Sequence, residues 1–473
     1  MLNENVNKVS KTNVSTKQKK GIIITGTIFI LLLIIYFAGA LFFKNHFLPG
    51  IKINGKNVMG KSAPQVKEII TDEVNNYVLT LKERKELSEE IKGKDINLSV
   101  SFDNTLDNLI KSQNSFSWII SIFKKNENEV PLQISYDEGA LSKVIDSLEA
   151  FDPQKVSAPV DAHISEYSSK DGYEIVKEDI GNELVRESFD EAVKDALLNL
   201  ETNIDLDKKG LYKAPNYTKD SDKTKEAAAT MNKYVSSQIS YSFGSAKEVV
   251  DCSLISQWIY ADENLDVQIN SDAVKEYVKG LSNNYDTIFT TRTFTSRDGE
   301  TKTLSQGDYG WWMNVPAETE GLIKDIKTGE TKERTPEYYQ TADNYSDKDW
   351  GDSYVEINLT KQHLWIYSKG QEVLSCDIVS GKPGNGHATP PGIYAVTYTE
   401  RDARLVGQNY DTKVAYWMPF NEDIGLHDAT WQTSFGGNRY LTHGSHGCIN
   451  MSLSDAKKAF QYVTKGYAVI LYK

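Results

Sequence analysis

Cysteine is scarce in this 473-residue chain: there are three, at 252, 376 and 448, with no C-x-x-C pair among them. That excludes a fold stapled by disulfides and the usual paired-cysteine zinc modules. Proline is also scarce, with 12 residues, so no proline-rich rigid spacer is present. A basic surplus is missing too. The net charge is −13, and residues 21–349 hold more than all of it, because residues 350–473 carry 11 Lys+Arg against 11 Asp+Glu. An acidic body of this kind speaks against nucleic acid and against adhesion to anionic lipid by charge.

Long apolar runs are absent except for one. Residues 21–43, GIIITGTIFILLLIIYFAGALFF, contain no charge and span ~35 Å as a helix, enough to cross a bilayer. Lys8, Lys11, Lys17, Lys19 and Lys20 precede it against one acid, Glu4. The lysine excess predicts a cytoplasmic tail over 1–20 and places residues 44–473 on the outer side of the cell membrane. A cleaved signal peptide is the alternative, but its apolar core is ~7–15 residues and ends at a small-residue cleavage site, which this run lacks.

Beyond the membrane, helical and strand-like patterns alternate. YDEGALSKVIDSLEAF (136–151) and SFDEAVKDALLNL (188–200) show amphipathic helical spacing, and residues 159–181 read as a strand pair around Lys-Asp-Gly. These place an α+β stalk module over 44–201. The polar stretch 202–225 is expected to be a linker. A second α+β module follows over 226–345, with a hairpin turning at Arg297-Asp298-Gly299. From Tyr354 short strands rich in Val, Ile, Tyr and Trp predict an antiparallel β-sandwich or barrel over 350–473, with one clear helix at 452–466 capped by Ser452 or Ser454. Cys252 and Cys376 sit in apolar-periodic surroundings and read as small buried hydrophobes.

The densest chemistry lies in THGSHGCINMS (442–452). A zinc site from His443, His446 and Cys448, with His427 as a fourth ligand, lacks the paired spacing that structural zinc prefers. A bland turn leaves two histidines without a purpose. Nucleophilic catalysis uses every unusual residue: a thiol at Cys448 needs a base, supplied by His446 or His427, and Gly444 and Gly447 free backbone N–H groups beside the sulfur for an oxyanion.

His427 followed by Ser445-His446-Gly447-Cys448-Ile449-Asn450 resembles the signature of L,D-transpeptidases of the YkuD type, and IGLHDATW (424–431) and TPPGIY (389–394) are similar to that family as well. Residues near 136–200 and 225–340, including GDYGWW (307–312), resemble the peptidoglycan-binding modules of Gram-positive members. The resemblance implies a mostly β catalytic domain and a cysteine thioacyl-enzyme formed on a peptidoglycan stem tetrapeptide with loss of D-Ala. A side-chain amine of a second stem then makes a 3→3 cross-link. It implies Cys448 as nucleophile, His427 as base, Asp428 orienting the imidazole, and His446 and Gly447 lining the site. The N–H groups of Gly447 and Cys448 would form the oxyanion hole, with Ser445 and Asn450 holding the loop or touching substrate. Tyr416, Trp417, Met418 and Trp431 are expected to wall the groove, and His443, His387 and His363 to be turn or packing histidines. No metal or cofactor is expected. The partners implied are stem peptides as acyl donor and acceptor, acted on by a monomer. A sortase is the nearest rival, but it needs an arginine shortly after its cysteine, and residues 449–473 contain none. A non-catalytic wall-binding scaffold is the other alternative.

Overall fold

The helix expected over 21–43 runs Thr16–Phe42 in the computed structural model, which describes residues 16–407 and 410–473. Residues 1–15, the larger part of the expected cytoplasmic tail, lie outside the described residues. The stretch Lys20–Phe42 is long and apolar enough to cross a membrane.

Residues through Asp161 with Glu178–Asn216 form one compact unit, and Ala162–Lys177 with Tyr217–Lys473 form another. In the first, Ser62 caps the helix Ala63–Asn75 through a reciprocal capping box with Gln65. The strand Val78–Lys82 pairs antiparallel with Ser88–Lys92 and parallel with Asn203–Asp205. Leu79, Leu81, Ile91, Phe189 and Ile204 fill its core. The expected linker therefore differs from what is found. Ile204, in the strand Asn203–Asp205, and Leu206, in the turn just after it, are buried in the same core as Leu211 and Tyr212, a pattern masked by the lysines and aspartates between.

In the second unit, Gln238–Phe243 forms a hairpin with Ala246–Val250 and pairs parallel with Thr331–Arg334. The hairpin predicted near Gly299 is present as Arg292–Thr295 and Thr301–Leu304. Its apolar side does not stay within the module. Phe294, Leu304 and Tyr309 pack with Ile393, Ala395, Ile470 and Tyr472 in one core, so module and C-terminal region share an interior. Arg292 and Asp349 form a buried ion pair in the same region.

The C-terminal region is mostly β, as expected. We number its elements β1 (Tyr354–Asn358), β2 (His363–Ser368), β3 (Gln371–Asp377), β4 (Gly392–Ala395), β5 (Glu400–Gly407), β6 (Tyr410–Asn421), β7 (Ile424–Asp428), α1 (Arg439–His443), β8 (Ile449–Met451), α2 (Leu453–Ala459) and β9 (Ala468–Tyr472). One sheet has the order β3-β2-β1-β9-β4 and the other β5-β6-β7-β8. Val355, Ile357, Leu364, Met418, Leu426, Ile449 and Val469 lie in their common core. Ser452 caps α2 by accepting from Asp455 N. Two pairings, β1 with β9 and β7 with β8, are parallel within the otherwise antiparallel set. A parallel neighbour needs a long crossover, and residues 429–448 supply the one between β7 and β8. That crossover holds most of the glycine-rich stretch.

All three cysteines are free thiols. Cys376 is buried in the core, and burial pushes its thiol up. Cys252 is only half-buried, because it opens the helix Cys252–Trp258 at the edge of its cluster.

Candidate active site

The parallel register pairs His427 with Asn450 and Leu426 with Ile449, which delivers Cys448 to the start of β8 beside β7. His427 and Cys448 both line one pocket of about 570 Å3.

Strand alternation sorts the neighbours. Trp417 and His427 face the pocket with rings 5.8 Å apart, and the Trp431 ring, also lining the pocket, lies 5.9 Å from the imidazole. Tyr416 and Met418, expected as groove walls, point the other way into the core: Met418 is fully buried and Tyr416 packs on Phe460. Asp428 faces away from the imidazole for the same reason, its carboxylate accepting from Tyr416 N at 2.9 Å. What orients His427 is the main-chain carbonyl of Asp428, 2.8 Å from Nδ1. A carbonyl only accepts, so Nδ1 carries the proton and Nε2 the lone pair.

Burial holds the His427 imidazole below its ordinary pKa, which keeps it neutral, while the hydrogen bond to the Asp428 carbonyl and the Asp428 charge oppose this. Burial pushes the Cys448 thiol up to about 11; a backbone N–H from Gly425 pulls it down and the Asp423 charge adds to the rise. The thiol donates to the Asp423 carbonyl at 3.4 Å.

The loop before Cys448 is built around Ser445. Its Oγ accepts from Gly447 N at 3.0 Å and donates to Cys448 O at 2.6 Å. The Gly447 N–H is therefore already engaged, unlike its expected role as an oxyanion donor, and the Cys448 N–H remains as the expected one. Gly447 has φ +130, a conformation that favours glycine. Thr389, in the TPPGIY stretch, donates from Oγ1 to Gly447 O at 2.7 Å and accepts from Gly381 N at 2.9 Å. Gly381 permits that close approach, since a Cβ there would meet His387 O at 1.9 Å.

His446 lines the pocket, exposed, with its ring against His387 and Tyr410. Among the described residues no buried carbonyl fixes its tautomer as one does for His427. His443, expected as a turn histidine, also reaches the pocket; Thr442 Oγ1 lies 2.8 Å from its Nδ1. His363 sits instead between Asp377 and Ser375. Asn450 is 2% exposed, lines the pocket, and its Oδ1 has no hydrogen-bond partner among the described residues.

Two residues escaped the sequence reading. Thr389 was inside a quoted stretch but had no role there. Arg439 lines the pocket with Nε bonded to Gln432 Oε1 at 3.1 Å, and Gln432 is in turn tied to the His443 carbonyl at 2.8 Å. Among the described residues no carboxylate lies within ion-pair distance of Arg439. Its signal would have been a lone arginine in the crossover before the cysteine. Among the described residues no group of three or more His, Cys, Asp or Glu is placed to hold a metal ion.

The profile of the YkuD L,D-transpeptidase catalytic domain matches residues 352–471, and that of a peptidoglycan binding domain matches residues 219–334. A cysteine-to-serine mutant of the Enterococcus faecium L,D-transpeptidase is 34% identical over 52% of this chain and 100% of its own, with a TM-score of 0.43. A structure described as the Ldtfm-avibactam carbamoyl enzyme is 35% identical over 53% of this chain and 98% of its own, with a TM-score of 0.44. The catalytic domain of the E. faecium L,D-transpeptidase acylated by ertapenem is 43% identical over 26% of this chain and 98% of its own, with a TM-score of 0.24. Among curated proteins there is no match.

Proposed function

The chain belongs to the L,D-transpeptidase family, and we propose that it forms 3→3 peptidoglycan cross-links from the outer face of the cell membrane, held there by Lys20–Phe42. A stem tetrapeptide places the carbonyl of its third residue against Cys448 Sγ. His427 Nε2 takes the thiol proton as sulfur attacks, and the Cys448 N–H receives the oxyanion. Collapse breaks the bond to D-Ala, whose nitrogen takes the proton back from His427. The side-chain amine of a second stem then attacks the thioester, gives its proton to Nε2, and releases Cys448 as the thiol. Asn450 Oδ1, a buried acceptor without a partner among the described residues, is available to an N–H of the substrate.

What supports this reading is the hydrogen bond from His427 Nδ1 to the Asp428 carbonyl, which leaves Nε2 as the basic nitrogen of an imidazole lining the same pocket as Cys448. The test is incubation of the protein with disaccharide-tetrapeptide, followed by mass spectrometry for D-Ala release and cross-linked dimer. Cys448→Ala should give neither and should form no acyl adduct. An adduct on that variant sinks the mechanism. Carbapenems should acylate Cys448, in line with the ertapenem-acylated relative.

A further inference from the structure

One apolar surface takes no part in the proposed reaction. Residues 114–125 read NSFSWIISIFKK and fold as the turn Ser115–Ser117 followed by the single helical turn Trp118–Ser121. Phe116, Ile119, Ile120, Ile122 and Phe123 are all exposed, Phe123 to 86%. A run of five large apolar side chains left bare on one short segment marks a surface that another apolar phase covers.

What covers it follows from where it is fastened. Trp118 Nε1 donates to the Tyr36 carbonyl at 3.1 Å, and Tyr36 OH donates to the Phe116 carbonyl at 2.9 Å. The rings of Phe37 and Phe116 meet edge to face, and those of Phe43 and Trp118 stack. A Cβ on Gly39 would come within 2.6 Å of the Trp118 indole, so the indole lies directly on the helix backbone. These contacts fall in the last two turns of Thr16–Phe42 and at Phe43, the residue just past its end. Counted from Lys20 they lie ~24–35 Å along the axis, at the far boundary of a ~30 Å hydrocarbon layer. Trp and Tyr favour that boundary, and Lys124 and Lys125 follow at once with charge suited to phosphate headgroups.

We propose that residues 115–123 are embedded in the outer leaflet of the lipid bilayer, as a second membrane contact continuous with the apolar surface of the helix. This rests on the reading of Lys20–Phe42 as a span. Two contacts fix the tilt and rotation of the N-terminal unit against the membrane, where a helix alone would leave it free to swivel.

The test uses the full chain in phosphatidylcholine nanodiscs, with Cys252, Cys376 and Cys448 replaced and one cysteine introduced for an environment-sensitive fluorophore. At Phe123→Cys, emission should shift to shorter wavelength and be lost to lipids carrying a shallow nitroxide. At Leu32→Cys, in mid-helix, a deep nitroxide should quench. At Val160→Cys, exposed in the same unit, neither should. Quenching at Leu32 with Phe123 behaving like Val160 overturns the inference and leaves the span standing. No quenching at Leu32 overturns both. A shift at Phe123 that grows with protein concentration and ignores lipid nitroxide means that a second copy covers the patch, which also overturns it. In the unmodified chain, hydroxyl-radical footprinting should spare Phe116 and Phe123 while labelling the exposed Phe289.

Discussion

His427 Nδ1 lies 2.8 Å from the carbonyl oxygen of Asp428, its immediate neighbour in the chain. The orienting acceptor is thus main chain, and no substitution at 428 removes it. His427→Ala should lower acylation by about 10²–10⁴-fold. Asp428→Ala should slow acylation far less, yet cost about 1–3 kcal/mol by leaving the Tyr416 N–H unpaired. Intact-mass time courses and denaturant titrations separate the two. A folded Asp428→Ala protein as inert as His427→Ala would move the orienting role to the carboxylate.

The thiol and the imidazole are shifted in opposite directions by the same burial. Raised to about 11, Cys448 is protonated at neutral pH; lowered, His427 is neutral there. The resting pair is therefore uncharged, and the proton moves only when substrate is present. Iodoacetamide alkylation of Cys448 should still be climbing at a pH of about 10, and acylation should fall on the acid side only below the ordinary imidazole value of about 6.5. An alkylation plateau near neutrality would reveal a preformed thiolate–imidazolium pair instead.

Thr389 is a strut beneath the nucleophile loop. Thr389→Val keeps the shape but orphans Gly447 O and Gly381 N, at about 1–3 kcal/mol each. The melting temperature and the acylation rate should both drop, and Thr389→Ser should restore both. Unchanged acylation in Thr389→Val would mean that the loop holds its form through Ser445 alone.

Arg439 offers a guanidinium fork to a carboxylate, and a stem tetrapeptide ends in one next to the bond to be broken. Arg439→Ala should cut kcat/KM for such a donor by about ten- to a hundredfold, the equivalent of one charge-assisted bond. A donor amidated at that carboxylate should react slowly with both proteins. Equal losses on the two donors would assign Arg439 to loop structure.

Much of this was legible beforehand, and the misses have physical reasons. Six of the nine C-terminal strands appear as runs of β-branched and aromatic residues. The nucleophile and its distant histidine stand out because cysteine and histidine are rare. Asn203–Asp205 was hidden because two core residues, Ile204 and Leu206, are spaced among charges that read as linker. Tyr416 and Trp417 look equally fit for a groove, and only strand register decides which one faces it. The hydrogen bond from Gly447 N to Ser445 Oγ depends on a turn closing through three residues, and no composition or spacing rule announces it.

The strand β9 follows the other eight strands of the C-terminal region in sequence, yet it lies between β1 and β4 in the middle of its sheet. Removing residues 468–472 leaves β1 and β4 without their common neighbour and exposes two unpaired edges. The sheet therefore closes only after residues 468–472 have been synthesised, and a translation product stopped between Cys448 and Ala468 carries the cysteine without the framework that makes it an enzyme.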